Sequence, residues 1–312
     1  MYTIQNLLPR ALAILILSLS LLQAQAAERH FATPEEAVAA LQSALEQPDD
    51  GALLTLFGDE AQTLFDSGDA VADRGARERF LAALKAGHKL NETGPGTRVL
   101  EVGADGWPFP IPLKNAFGQW AFDTPAGAEE LINRRIGFNE LYTIQVSLAL
   151  VDAQREYYQR NPDNAKLLHY AGRIVSSAGK RDGLYWSDTV RAPDGKPSPL
   201  GELVADAFRE GYRKHGSAPA PYHGYYYRLL TRQGPAAEGG AYDYLAKGYL
   251  LGGFAVIAWP ADYGVSGIKT FIVNHDGVVF ERDLGERTDE IAPTVSAFNP
   301  DEGWSQADDT LY

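Results

Sequence analysis

Apolar residues recur at helical spacing in the first part of the chain. Thr33-Pro34-Glu35-Glu36 opens a helix: a capping hydroxyl, a proline at the first helical position and two acids facing the positive end of the dipole. Ala37, Leu41, Ala44 and Leu45 continue it, a second helix falls at Ala52–Leu56, and a third runs from Ala76 to Ala86 with Phe80, Leu81 and Leu84 on one face. After His88 the texture turns to strands at Val99, Leu100 and Val102 and at Trp120-Ala121-Phe122, with a turn at Asp105-Gly106. Prolines 108, 110 and 112 strip donors from the extended segment Trp107 to Leu113, which places it at a sheet edge.

A second region opens at Asp123-Thr124-Pro125, again a helix start, and the helical pattern persists to about Gln159. Leu141, Ile144, Leu148 and Val151 mark its apolar face, which fits a long helix lying across a sheet or a short coiled-coil seam. Asn161-Pro162 ends it, and shorter helices are expected at Ala165–Ser176 and Leu200–His215. From Tyr222 the period becomes strand-like: Tyr225 to Thr231, Gly252 to Trp259, then Thr270–Asn274 and Val278–Arg282 around the turn His275-Asp276-Gly277. No strand–helix–strand crossover pattern occurs, so a parallel doubly wound sheet is not expected.

The pattern therefore predicts an α+β protein: a leader over 1–26, an N-terminal α+β unit over 27–123, a C-terminal unit with a long helix and antiparallel meander over 124–285, and an acidic tail over 286–312. The N-terminal unit resembles cystatin or nuclear-transport-factor-like folds, a layout that carries no function by itself.

The first residues are a short polar start with Arg10, an apolar run from Ala11 to Leu22, and Ala24-Gln25-Ala26, the small-x-small pattern that a signal peptidase cuts. A run of about 12 residues is shorter than the ~20 of a spanning helix, so cleavage after Ala26 and a soluble periplasmic or secreted product are expected. Removing that leader takes away one arginine and no acid, moving the net charge from −13 to −14. Such a field does not favour nucleic acid or anionic lipid. With no cysteine, disulfides, thiolate catalysis and cysteine metal sites are excluded. Nine acids from Glu281 onward face only Arg282 and Arg287, and a solvated terminus is the expected result.

Five ordered blocks carry a family resemblance: Gly179-Lys180-Arg181-Asp182-Gly183-Leu184-Tyr185-Trp186, Ser198-Pro199-Leu200-Gly201, Gly224-Tyr225-Tyr226-Tyr227-Arg228-Leu229-Leu230, Gly252 to Pro260, and Thr270 to Asn274 before Asp276-Gly277. Together they resemble the secreted bacterial family catalogued as domain of unknown function twenty-nine fifty. The resemblance implies an envelope or periplasmic location and brings no activity or catalytic residue with it. The stretch Asp152 to Tyr158 before a meander also resembles the layout of type IV pilin and pseudopilin heads. It departs from them in lying far from the leader instead of continuing it.

Catalytic patterns are incomplete. Ser177-Ala178-Gly179-Lys180 has Ser-x-x-Lys spacing, but Gly179 sits between the two groups that one helical turn must bring together. Ser266, in Gly264-Val265-Ser266-Gly267, lacks a nucleophile elbow and reads as a turn. His30, His88, His169, His215, His223 and His275 are scattered, none paired at zinc-protease spacing, so no metal or cofactor is expected. What remains is Lys180, Arg181, Asp182, Tyr185 and Trp186, where charged hydrogen-bonding groups sit beside aromatics, as in carbohydrate or peptide recognition. The same residues also fit a turn whose Tyr and Trp pack inward. The residues weigh toward a non-catalytic envelope protein that binds, scaffolds or assists assembly, with an envelope protein or a glycan as partner. The rival is a periplasmic hydrolase of glycan or peptide whose carboxylates meet only in the fold.

Overall fold

The computed structural model describes residues 29–58, 61–212 and 220–307; the expected leader lies outside them. The protein is α+β. Its first helix, α1 (Pro34–Leu45), starts as expected: the Thr33 hydroxyl accepts the Glu36 amide at 3.2 Å, and the Glu36 carboxylate accepts the Ala32 amide at 3.0 Å. Then come α2 (Gly51–Phe57), α3 (Gln62–Phe65) and α4 (Ala70–Ala86). Helix α4 begins before the expected Ala76, because the Asp69 carboxylate caps it by accepting the amides of Val71 and Ala72. Gly75 and the charged pair Asp73-Arg74 hide that first turn from an apolar-spacing argument.

The strands β1 (His88–Gly94), β2 (Thr97–Val102), β3 (Trp107–Pro108), β4 (Leu113–Ala116) and β5 (Gln119–Phe122) form an antiparallel sheet ordered β1-β2-β4-β5, with β3 beside β2. Strand β1 is polar and largely exposed, so it carries no hydrophobic signal and is held by its ladder to β2. The proline-rich segment runs along one side of β2, pairing through Trp107 and Pro108 and through the Phe109 amide to Leu100 O at 2.8 Å, and it buries Phe109, Ile111 and Leu113 in the first core before Leu113 enters β4. Leu41, Leu53, Phe57, Leu84, Leu100, Phe109 and Phe122 fill the first core, with Phe57 and Phe122 ring centroids 4.8 Å apart.

Helix α5 (Thr124–Arg160) is 37 residues long and serves both halves of the molecule. Its start packs Ala128, Leu131 and Ile132 on the first core, whereas Ile144 to Tyr157 belong to a second. The helix does lie across a sheet, but its buried face is rotated from the expected one. Ile144 and Val151 are buried and Leu148 half-buried, while Leu141 is exposed. The deepest seam is Asn139, Thr143, Ser147, Leu150, Gln154 and Tyr157. Its polar members escape an apolar count because they bury with their partners supplied: Asn139 Nδ2 donates to Ser266 O at 2.9 Å, and the Thr143 hydroxyl accepts from Tyr227 at 3.2 Å.

The expected helix at 165–176 is absent. Asn161 ends α5 in the left-handed conformation, with φ of 47°, and its amide bonds both N–H and C=O of Ala165. The chain then crosses α5 in extended form. Gln154 receives the Ala171 amide at 2.8 Å and donates to its carbonyl at 2.9 Å, so a buried side chain replaces a neighbouring strand. Tyr170 bridges Leu250 and Val175 bridges Tyr185. These tertiary bonds satisfy the backbone groups that a helix would have satisfied internally. Helix α6 spans Gly201–Glu210, shorter than expected; His215 lies outside the described residues.

The second core is built on β6 (Tyr225–Leu230), followed in sequence by an excursion through β7 (Arg232–Gln233), β8 (Tyr242–Asp243), β9 (Leu245–Ala246) and β10 (Tyr249–Leu250). Strands β11 (Ala255–Pro260), β12 (Lys269–Asn274) and β13 (Val279–Asp283) complete the meander. The stretch expected to be a solvated tail instead folds back through α7 (Thr288–Ile291), a 3₁₀ turn at Ala292–Thr294 and β14 (Ser305–Gln306). Ala292, Phe298 and Ala307 are buried and β14 pairs with β13: the acids stay outside while the apolar residues between them close the sheet. Its order is β14-β13-β12-β11-β6, antiparallel throughout. One face carries α5; the other carries α7 and the 3₁₀ turn.

Candidate binding surface

The cluster singled out by sequence sits on a tight turn against the C-terminal end of α5, and its members part company there. Lys180 is exposed, its amide donating to Ser177 O at 2.9 Å. Arg181 is tied inward: Nε donates to Pro162 O, Nη1 to Arg191 O at 3.0 Å, and its carbonyl accepts the buried Tyr157 hydroxyl at 2.6 Å. Asp182 accepts the Ser177 amide and hydroxyl, each at 2.8 Å. Burial pushes its carboxyl up, but the two Ser177 bonds, its own backbone amide and Arg173 together hold it below its ordinary value. The Ser177 hydroxyl is thus bonded to Asp182, and the Ser-x-x-Lys spacing is a turn.

Tyr185 is partly buried against the second core, and Trp186 is only 4% exposed. The Arg160 guanidinium lies 5.9 Å from the Trp186 ring centroid and is itself held by Asp194 and Glu156. Of the five residues, Lys180, Arg181 and Asp182 share the turn, while Trp186 points into the core.

A different surface gathers exposed aromatics. In Leu245-Ala246-Lys247-Gly248-Tyr249-Leu250, Lys247 and Gly248 both take positive φ, 53° and 81°, so β9 and β10 close through a two-residue turn whose twist suits a hairpin. The hairpin holds Leu245 at 50% and Tyr249 at 44% exposure. Beneath it, the Tyr170 amide donates to Leu250 O at 3.0 Å, anchoring the 167–170 stretch and leaving Leu167 and Leu168 exposed. His169 packs on Tyr249 with centroids 4.6 Å apart and on Tyr157 at 5.8 Å. Its Nδ1 lies 2.8 Å from Tyr170 O and its Nε2 3.0 Å from Asp163 Oδ2, so both ring nitrogens are held.

Tyr158 of α5 meets Tyr170 at 4.9 Å, and Tyr242 packs on the fully buried Tyr244 at 5.4 Å. Burial pushes the Tyr170 phenol up, with Tyr158 and Tyr242 adding to the shift. Exposed Tyr249, Tyr242, Leu245, Leu167 and Leu168 thus occur on and beside one hairpin. The register pairs Leu245 with Leu250 and Ala246 with Tyr249, so Leu245 and Tyr249 leave the hairpin on opposite faces. Single exposed apolar residues are ordinary; a gathering of them is where recognition is sought. Sequence reasoning missed it because Leu167-Leu168 was absorbed into an expected helix; the Lys-Gly step between two apolar pairs was the available signal.

No group of three or more metal-ligating side chains converges among the described residues, nor is any described helix long and apolar enough to cross a membrane. The fold and surface define an α+β protein with two hydrophobic cores joined by one helix. Its family follows from the sequence match: the chain belongs to the family described as "Protein of unknown function (DUF2950)", whose model matches residues 28–307. No curated protein and no solved structure matches the chain.

Proposed function

We propose that this is an exported, non-catalytic protein of the cell envelope that captures a protein partner through the tyrosine–leucine surface around Leu245 and Tyr249. The carrying observation is the exposure of Leu245 and Tyr249 on the hairpin and of Leu167 and Leu168 on the stretch that Tyr170 and His169 join to it. Leucine side chains offer a glycan no hydrogen bond, whereas leucines among tyrosines suit the apolar centre of a protein interface. Export rests on the leader pattern of residues 1–26, with Ala27 as the first residue of the mature chain.

The test places the photo-cross-linker benzoylphenylalanine at position 245 or 249 and, as a control, at the exposed position 105. Labelling is done in the periplasmic fraction. The expected result is one protein, identified by mass spectrometry, labelled from 245 and 249 but not from 105. Unlabelled wild type competes it away, Tyr249→Ser does not, and the purified partner binds saturably. Equal labelling from all three positions, labelling of cell-wall glycan, or no label overturns the proposal. Intact-mass measurement of the exported protein checks cleavage after Ala26; retention of residues 1–26 overturns that part.

A further inference from the structure

The sheet face turned away from α5 carries a separate aromatic cleft. Tyr227 bonds Thr143 on α5, so strand alternation sends Tyr226 and Arg228 to the opposite face. There Tyr226 stands directly across from Trp259 of β11, with ring centroids 5.6 Å apart and planes tilted by 39°. Behind Trp259 the Arg228 guanidinium lies 6.0 Å from the ring centroid. Its Nη2 is held by the carbonyls of Ala292 and Pro293 at 3.3 Å and of Val295 at 2.6 Å. The arginine thus fixes the 3₁₀ turn over the sheet and positions Pro293. The result is a cleft of about 290 Å³ lined by Tyr226, Trp259, Pro260, Ala261, Asp289 and Pro293.

We propose that this cleft binds one pyranose ring, with the sugar's C–H face on Tyr226 and Trp259 and its hydroxyls donating to Asp289. Asp289 is exposed in the first turn of α7 and has no ion pair or hydrogen bond among the described residues. A free carboxylate beside flat aromatic faces asks for a ligand with donors and an apolar face. An anion meets Asp289 and a chain of net charge −13; a cation is drawn to both, but its place over the Trp259 ring is taken by the guanidinium already held 6.0 Å from that ring. A neutral polyol uses the carboxylate through its hydroxyls and the rings through its C–H face. At about 290 Å³ the cleft has room for a single pyranose ring. This site lies apart from the Leu245–Tyr249 hairpin and does not depend on the partner proposed for it.

The experiment follows the Trp259 indole N–H in ¹H–¹⁵N spectra of the whole protein, assigned with Trp259→Phe. The probes are glucose, galactose and N-acetylglucosamine, each alone and as a β-linked trimer. The expected result is a saturable shift of that resonance with at least one sugar, weakened at least fivefold in Asp289→Ala at unchanged melting temperature. Binding of monomer and trimer alike identifies the single ring as the ligand; binding of the trimer alone identifies a chain and overturns the single-ring assignment. No shift with any sugar, shifts unaffected by Asp289→Ala, or a shift with a proline-rich peptide in place of the sugars overturns the proposal.

Discussion

The Tyr212 hydroxyl, at the end of α6, donates at 2.8 Å to the carboxylate of Asp69, the cap of α4. The same Asp69 oxygen accepts the Gly224 amide at 2.9 Å, while the other oxygen holds Val71 and Ala72. At 2% exposure, one carboxylate thus satisfies four donors and ties the N-terminal helices to the start of the second sheet. Asp69→Ala removes a helix cap and strands buried donors, and is expected to cost about 3 kcal/mol in urea unfolding. Tyr212→Phe, which keeps the ring, should cost about 1 kcal/mol, and the double mutant should fall short of the sum.

Beside that link, His223 packs between Tyr142, Tyr212 and Tyr222, and its Nε2 lies 2.9 Å from Glu210. Burial lowers the imidazole pKa; Glu210 and Asp69 pull the other way, and Arg79 adds to the lowering. The unfolded chain therefore takes up this proton near pH 6.5 while the folded protein waits for a lower pH. His223 stability is complete above that value and is lost as pH falls toward the folded pKa. His223→Gln should flatten the pH dependence of unfolding between pH 7 and 5 by at most about 1.4 kcal/mol per pH unit. Parallel wild-type and variant profiles would contradict this.

Trp186 gives the sharpest contrast within the turn first read as a recognition cluster. Trp186→Ala should cost about 3–5 kcal/mol, whereas the exposed Lys180→Ala should stay within about 0.5 kcal/mol of wild type. Thermal and urea unfolding of the two variants measure both.

Gln154 tests the side chain that stands in for a strand. It is fully buried and bonds Ala171 twice, so Gln154→Leu leaves a buried amide and carbonyl without partners. The expected cost is about 2–4 kcal/mol, with hydrogen exchange of the Ala171 amide faster than that of the α5 amides. Unchanged exchange at Ala171 would show that the 165–186 crossing is held elsewhere.

Elements whose signal is local were legible in the sequence. The Thr33 cap, the long helix from Thr124, the Tyr225 strand and the hairpin around Asp276-Gly277 follow from capping chemistry, period and turn residues within a few positions. The α+β class and the antiparallel meander follow from their order. Tertiary structure alone decided which face α5 buries, because Asn139, Thr143 and Gln154 are acceptable inside only when Ser266, Tyr227 and Ala171 arrive to pair with them. It likewise turned 165–176 into an extended crossing and the acidic end into the covering of a sheet. Both proposed binding surfaces belong to this second kind. His169 and Tyr249, or Tyr226 and Trp259, lie far apart in the chain, and only the fold brings their rings together.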